Sequence, residues 1–110
     1  KKKSFVSTYP NGLKRFEVLK EILDSIKNKT KIISTTGYTS RELFQIRKEE
    51  KLTNGKDFYM VGGMGHASMV SLGVSLYSDQ ETICLDGDGS LLMHLGSIRA
   101  IGFFARKNFF

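Results

Sequence analysis

The segment Asp86-Gly87-Asp88-Gly89-Ser90 has the residue types that hold a metal-bound polyphosphate. Asp88 can supply a hard carboxylate oxygen to Mg²⁺. Gly87 and Gly89 let the backbone turn tightly and come close to an anion. A helix N-terminus near Ser90 would add free N–H groups and the positive end of a helix dipole. Asp-Gly is also common turn chemistry, so these residues taken alone fit a plain turn equally well. Their setting favours the phosphate. The segment follows Thr82-Ile83-Cys84-Leu85, which reads as a buried strand. Ligands of open α/β sheets bind at the carboxyl ends of strands.

Other side chains could join such a site, and each has a plainer alternative. Asp86 could support the metal from behind or cap the turn. His66 could move a proton or contact an anion, or simply bond to backbone at a helix start. His94, in an apolar helix, reads first as a satisfied core histidine. Arg41 could grip an anion through paired N–H groups or sit solvated in a first helical turn. Met64 could be ordinary packing, because methionine fills gaps well.

The elements that must position these residues are legible from periodicity. Leu13, Phe16, Leu19, Leu23 and Ile26 recur at helical spacing after a Pro10-Asn11-Gly12 turn, with Val18 and Ile22 widening the stripe. The β-branched run 31–36 predicts a strand closed by Gly37. Thr39-Ser40-Arg41-Glu42 predicts a capping box at the start of a helix reaching about residue 52, with Leu43, Phe44 and Ile46 buried. A second strand is expected over 58–61, then Gly62-Gly63-Met64-Gly65, then a helix over 66–77 rich in small residues. A third strand over 82–85 precedes a helix over 91–104 that is apolar nearly all round, which predicts burial on more than one side. Asn108-Phe109-Phe110 reads as the start of a fourth strand. Helices alternating with strands predict an α/β fold with a doubly wound parallel sheet. The expected domain organisation is one partial domain over 1–110, with 1–12 as a linker.

Bulk properties narrow the function. The chain has 110 residues, 40% of them hydrophobic and 25% charged, which suits one globular unit. No apolar run is long enough to span a membrane, and no secretory signal is recognisable. Cys84 is the single cysteine, so an intrachain disulfide is excluded and a cytoplasmic location is expected. The net charge of +6 is uneven: residues 1–56 carry fourteen Lys/Arg against six Asp/Glu, and residues 57–110 three against five. The basic half lacks interleaved aromatic residues for stacking, so a solvated surface or steering of an anionic substrate is preferred over nucleic-acid binding.

Three segments in order give the sequence a recognisable wording: Ser34-Thr35-Thr36-Gly37-Tyr38-Thr39-Ser40-Arg41-Glu42-Leu43, Gly62-Gly63-Met64-Gly65-His66-Ala67-Ser68, and Leu85-Asp86-Gly87-Asp88-Gly89-Ser90-Leu91-Leu92-Met93-His94. Together they resemble the diphosphate-binding domain of thiamine-diphosphate-dependent decarboxylases, over about residues 13–110. Within that family the wording stands nearest to the phosphonopyruvate decarboxylases, with the sulfopyruvate decarboxylases close by. The resemblance implies thiamine diphosphate and Mg²⁺ as cofactors. It implies Asp88 as the metal ligand, with Gly87, Gly89 and Ser90 at the diphosphate and Thr36, Gly37 and Thr39 facing it from the first strand. It implies Gly62 and Gly63 under the thiazolium ring, the Gly62 carbonyl accepting from the pyrimidine amino group, and Met64 as the wedge that bends the cofactor. His66, which follows this loop, is the candidate catalytic side chain on its own chemistry, not one that the resemblance supplies.

Two of the family's parts have no counterpart here. The asparagine pair that completes its metal motif would lie beyond Phe110. The glutamate that activates its pyrimidine ring sits on a pyrimidine-binding domain. The implied partners are therefore that domain, on the same or another chain, a small 2-oxo acid, and further copies of the protein in a homo-oligomer. The implied reaction is non-oxidative decarboxylation of phosphonopyruvate to phosphonoacetaldehyde and CO₂. The alternatives are the diphosphate-domain subunit of a sulfopyruvate decarboxylase and a non-catalytic truncated paralogue.

Overall fold

A computed structural model describes residues 12–110. The expected linker and the Pro10-Asn11-Gly12 turn lie almost wholly outside them. The described chain runs α1 (Arg15–Ser25), β1 (Lys31–Ser34), α2 (Tyr38–Glu50), β2 (Lys56–Tyr59), α3 (Ala67–Leu76), β3 (Thr82–Leu85), α4 (Asp88–Met93) and α5 (Ser97–Phe104). The strands form a parallel sheet in the order β2-β1-β3. This is the α/β architecture that the alternation predicts.

β1 is the centre of the sheet, so its side chains are covered on both faces. Ile32, Ile33 and Ser34 are all buried. On one face, Leu19 and Leu23 of α1 and Leu43 and Ile46 of α2 close on Ile32. On the other, α3 packs against β1 and β3, and α5 packs against α3. The small residues of α3 permit that approach: Ser68 Oγ lies 3.1 Å from Ser97 Oγ of α5. The hydroxyls of Ser71 and Ser75 turn back to the carbonyls of Ala67 and Leu72, so these buried polar atoms are satisfied.

The polar loop between α2 and β2 is fixed by Arg47. Its guanidinium donates twice to Asp57, at 2.8 and 2.7 Å, and again to Asn54, whose side-chain amide donates to Leu23 O at 2.7 Å. Both charged side chains are nearly covered, with 11% and 8% exposure. Gly55 sits beside them at φ 79°, where a Cβ would lie 2.8 Å from Ile26 Cδ1.

Several expected boundaries move. β1 ends at Ser34 and β2 starts at Lys56, two residues earlier than the apolar run suggests. The capping box of α2 does not form. Gly37 takes the cap position at φ 100° with no side-chain bond, and Glu42 instead accepts two bonds from Arg15, at 2.6 and 2.8 Å. A bidentate arginine pair competes well with a single backbone N–H. Phe44 is exposed and meets Tyr59 edge-on instead of entering the core. Leu13, Phe16 and Val18 also stay at the surface, leaving Leu19 and Leu23 as the buried part of the α1 stripe.

The long helix expected over 91–104 is two helices. α4 starts earlier, at Asp88, whose charge suits the positive helix end. It stops when His94 leaves the helical region at φ −136°, and a turn through Gly96 leads into α5. The expected burial on several sides is not seen: Leu92, Met93, Leu95, Ile98, Phe103 and Phe104 are exposed. Beyond α5, Asn108 O accepts from Thr82 N–H (2.7 Å) and Phe110 O from Cys84 N–H (2.9 Å). The expected fourth strand thus starts by pairing with β3 through a parallel bridge between Thr82 and Phe109.

Candidate cofactor site

Parallel strands bring their carboxyl ends to one rim of the sheet. Three loops meet there: 35–37 after β1, 60–66 after β2 and 86–87 after β3. The chain reverses direction across the sheet at β1, and the crevice beside such a reversal is where open α/β sheets bind ligands.

Ser90 fastens the loops together. Its buried Oγ accepts from Thr35 Oγ1 at 2.9 Å and from Gly65 N–H at 3.0 Å. The serine hydroxyl is therefore spent inside the protein. What remains for a ligand is its N–H, along with those of Asp88 and Gly89. The first bond of the helical ladder is Leu91 N–H to Gly87 O, so these three N–H groups stand outside it.

Asp86 and Asp88 flank Gly87 at the same place. Asp86 Oδ1 accepts from Gly87 N–H at 2.9 Å, whereas its Oδ2 is buried without a hydrogen-bond partner among the described residues. A buried carboxylate oxygen left without a partner calls for a donor or a cation. Asp88 is exposed at the mouth. Among the described residues no three His, Cys, Asp or Glu side chains converge on one point; the carboxylates at this place are those of Asp86 and Asp88. Mg²⁺ commonly binds in this way, through a carboxylate or two, phosphate oxygens and water.

Glycines leave the space for such a ligand. A Cβ on Gly37 or Gly62, in the first two loops, or on Gly89, in the first turn of α4, would meet no atom within 4 Å, so there is open space beside the backbone at all three. Thr36 Oγ1 donates to Val61 O at 3.2 Å, tying the first loop to the second. Thr36, Gly37 and Arg41 line a groove of about 440 Å³ with Tyr59, Met60 and Val61. Thr39 lies half-buried in the first turn of α2. Arg41 is held over the Tyr38 ring, 5.7 Å from its centroid.

The glycine loop after β2 is shaped by Gly63 (φ 62°) and Gly65 (φ 88°), a region that side chains avoid. Between them Met64 is 46% exposed. His66 follows as the cap residue of α3, with Nδ1 3.3 Å from Met64 O. A carbonyl only accepts, so that nitrogen carries the proton, and Nε2 is free to take one when the ring is neutral. His94 Nδ1 is 3.1 Å from Gly65 O, and the two imidazole centroids are 5.6 Å apart. Burial pushes the Cys84 thiol above its ordinary range, and the thiol sits in β3 behind Asp86.

The sequence-based site residues thus reach one rim. The bonds of Thr35 and Gly65 to Ser90 could not be read from the sequence, although Gly65 lies in the glycine loop and Thr35 at the strand end. The signal for the two residues was a second threonine at the strand end and a third glycine in Gly-Gly-Met-Gly.

Residues 34–104 match the family model described as "Thiamine pyrophosphate enzyme, C-terminal TPP binding domain". The chain belongs to this family of thiamine pyrophosphate-binding domains. It is 40% identical over 96 residues to the sulfopyruvate decarboxylase subunit beta of Methanocaldococcus jannaschii, covering 87% of this chain and 48% of that protein. It is 39% identical over 94 residues to the phosphonopyruvate decarboxylase of Streptomyces viridochromogenes, covering 86% of this chain and 22% of that one. The sulfopyruvate decarboxylase subunit beta of Methanococcus maripaludis is 36% identical over 97 residues, covering 88% and 49%. The chain therefore spans about half of the first and third relatives and about a fifth of the second. No solved structure matches it.

Proposed function

We propose that this chain supplies the diphosphate-binding part of a thiamine-diphosphate-dependent decarboxylase of phosphonopyruvate, which yields phosphonoacetaldehyde and CO₂. The observation that carries the reading is the rim itself. Three strand-end loops are locked together through Ser90, with bare glycine backbone, free N–H groups and two carboxylates beside them.

The residues fit the cofactor. Asp88 holds Mg²⁺, and Asp86 steadies the metal or its water through the oxygen that lacks a partner. The N–H groups of Gly89 and Ser90, with Gly87, Thr36, Gly37 and Thr39, receive the diphosphate. Gly62 would offer its carbonyl to the cofactor, Gly63 would give the loop the turn needed to approach it, and Met64 would pack against it. Bound there, thiamine diphosphate supplies the electron sink for loss of CO₂ from a 2-oxo acid. His66 takes or returns a proton at Nε2. A pyrimidine-binding domain, on this or another chain, completes the site in a cytoplasmic homo-oligomer.

A sulfopyruvate reading keeps its place for one reason. Two relatives of that name are separate beta subunits, each matched over about half its length. Competition decides between the two. The complete protein is given equal phosphonopyruvate, sulfopyruvate and pyruvate with thiamine diphosphate and Mg²⁺, and each aldehyde is quantified. Phosphonoacetaldehyde should dominate, and His66→Ala should lower its turnover more than His94→Ala does. A majority of sulfoacetaldehyde overturns the substrate, and no aldehyde from any of the three overturns the decarboxylase.

A further inference from the structure

We propose that His94 is a positioning residue that clamps the glycine loop beneath the cofactor, and so links that loop to the metal-binding end of α4. The inference rests on the reading of the rim as a thiamine diphosphate site.

The geometry is a grip on one residue from three sides. Gly65 N–H donates to Ser90 Oγ at 3.0 Å. Gly65 O lies 3.1 Å from His94 Nδ1, which must donate because a carbonyl only accepts. On the third side a Cβ at Gly65 would sit 3.2 Å from Met93 Cβ and 3.4 Å from Ser90 O, so the loop presses directly on α4. Both polar groups of the Gly65 backbone are thereby satisfied by α4 and its cap. The neighbouring Met64 is left 46% exposed.

The position of His94 in the fold gives the clamp its meaning. α4 has six residues, with Asp88 at its start, Ser90 within its first turn and His94 as its cap. Such a short rod transmits the placement of its first residue to its last. The helix also ends at His94 itself, where the backbone leaves helical geometry at φ −136°. A cation and diphosphate held at Asp88–Ser90 would then fix the height of Met64 through His94 and Gly65. A loop with two positive-φ glycines has little stiffness of its own, so an outside hold is what keeps it in one conformation.

Asparagine and leucine have nearly the same shape, and only asparagine can donate to Gly65 O. The test compares His94→Asn with His94→Leu in the complete protein. Two quantities are read: the Kd for thiamine diphosphate at saturating Mg²⁺ by calorimetry, and amide exchange of residues 63–66 without cofactor or metal. His94→Leu should weaken cofactor binding about tenfold, and exchange at 63–66 should quicken by a similar factor. His94→Asn should restore both to within about threefold. Equal effects of the two substitutions, or unchanged exchange in His94→Leu, overturn the clamp. If His94→Leu does not fold, as judged by thermal melting, His94→Ala takes its place in the same comparison. Should the unaltered protein bind no thiamine diphosphate, the cofactor reading fails while the exchange data still judge the clamp.

Discussion

At the scale of single residues the rim divides its polar groups into those already used and those still open. Ser90 Oγ, Gly65 N–H and Thr35 Oγ1 satisfy one another. Among the described residues Asp86 Oδ2 has no hydrogen-bond partner, and Asp88 is exposed. The two aspartates should therefore respond differently to removal. In the complete protein, Asp88→Ala should abolish Mg²⁺-dependent binding of thiamine diphosphate. Asp86→Ala should weaken it about ten- to hundredfold, as losing an outer support of a metal ligand does. Titration calorimetry with and without Mg²⁺ separates them, and an unchanged affinity in Asp88→Ala removes that residue from the metal site.

The element scale is where Gly65 matters most. Its φ is positive, and a methyl group there would lie 3.2 Å from Met93 Cβ, so the backbone would be strained and α4 would have to give way. Gly65→Ala should cost about 1–3 kcal/mol of stability from backbone strain and overpacking. Gly62→Ala has open space around it, and φ there lies outside the left-handed region, so it should cost much less. Urea denaturation of the two variants checks the contrast.

Much at this scale could be read from residue order. Alternating helical and strand periods gave the parallel sheet, and the three motif loops fell at strand ends as their glycines implied. What could not be read were choices settled by distant partners. Glu42 has the right spacing for a capping box with Thr39, but Arg15, 27 positions away, takes the carboxylate. The run 91–104 has helical composition throughout, but His94 is drawn to Gly65, 29 positions away, and the helix divides. Phe44 follows the helical stripe, yet the space over Ile32 is filled by Leu19 and Leu23 of α1 and by Leu43 and Ile46 of its own helix. Local sequence carries propensity, whereas these outcomes depend on which long-range contact wins.

At the scale of the whole molecule, α5 presents Ile98, Phe103 (81% exposed) and Phe104 to solvent. Apolar surface of that kind marks a face for association. The complete protein should sediment as a dimer or larger, and the 110-residue chain alone should decarboxylate no oxo acid. Aldehyde formation by the isolated chain, or an active monomer, would contradict this. Stability should also fall on the alkaline side. Burial raises the Cys84 thiol above 9.0, and burial together with its 2.7 Å bond to Asp57 raises the Tyr59 phenol well above 10.0. A group that holds its proton more tightly when folded stabilises fully below its unfolded pKa. That contribution is lost as pH rises beyond it. Urea midpoints should therefore fall as pH rises above about 9, first through Cys84 and above about pH 10 through Tyr59, and Tyr59→Phe should flatten the decline only above about pH 10.

The order β2-β1-β3 has a further consequence for the way this chain is made. Lys31 pairs with Lys56 on one side and with Thr82 on the other, about fifty residues later. A ribosome adding roughly 5–20 residues per second needs about 3–10 s to deliver that second neighbour. For those seconds the future middle of the sheet is an open edge, with Ile32 and Ile33 available to any other extended chain. β1 carries two of the usual safeguards for an edge strand: it is only four residues long, and it begins with a lysine. The strand that ends most deeply buried is therefore built to survive a period of exposure first.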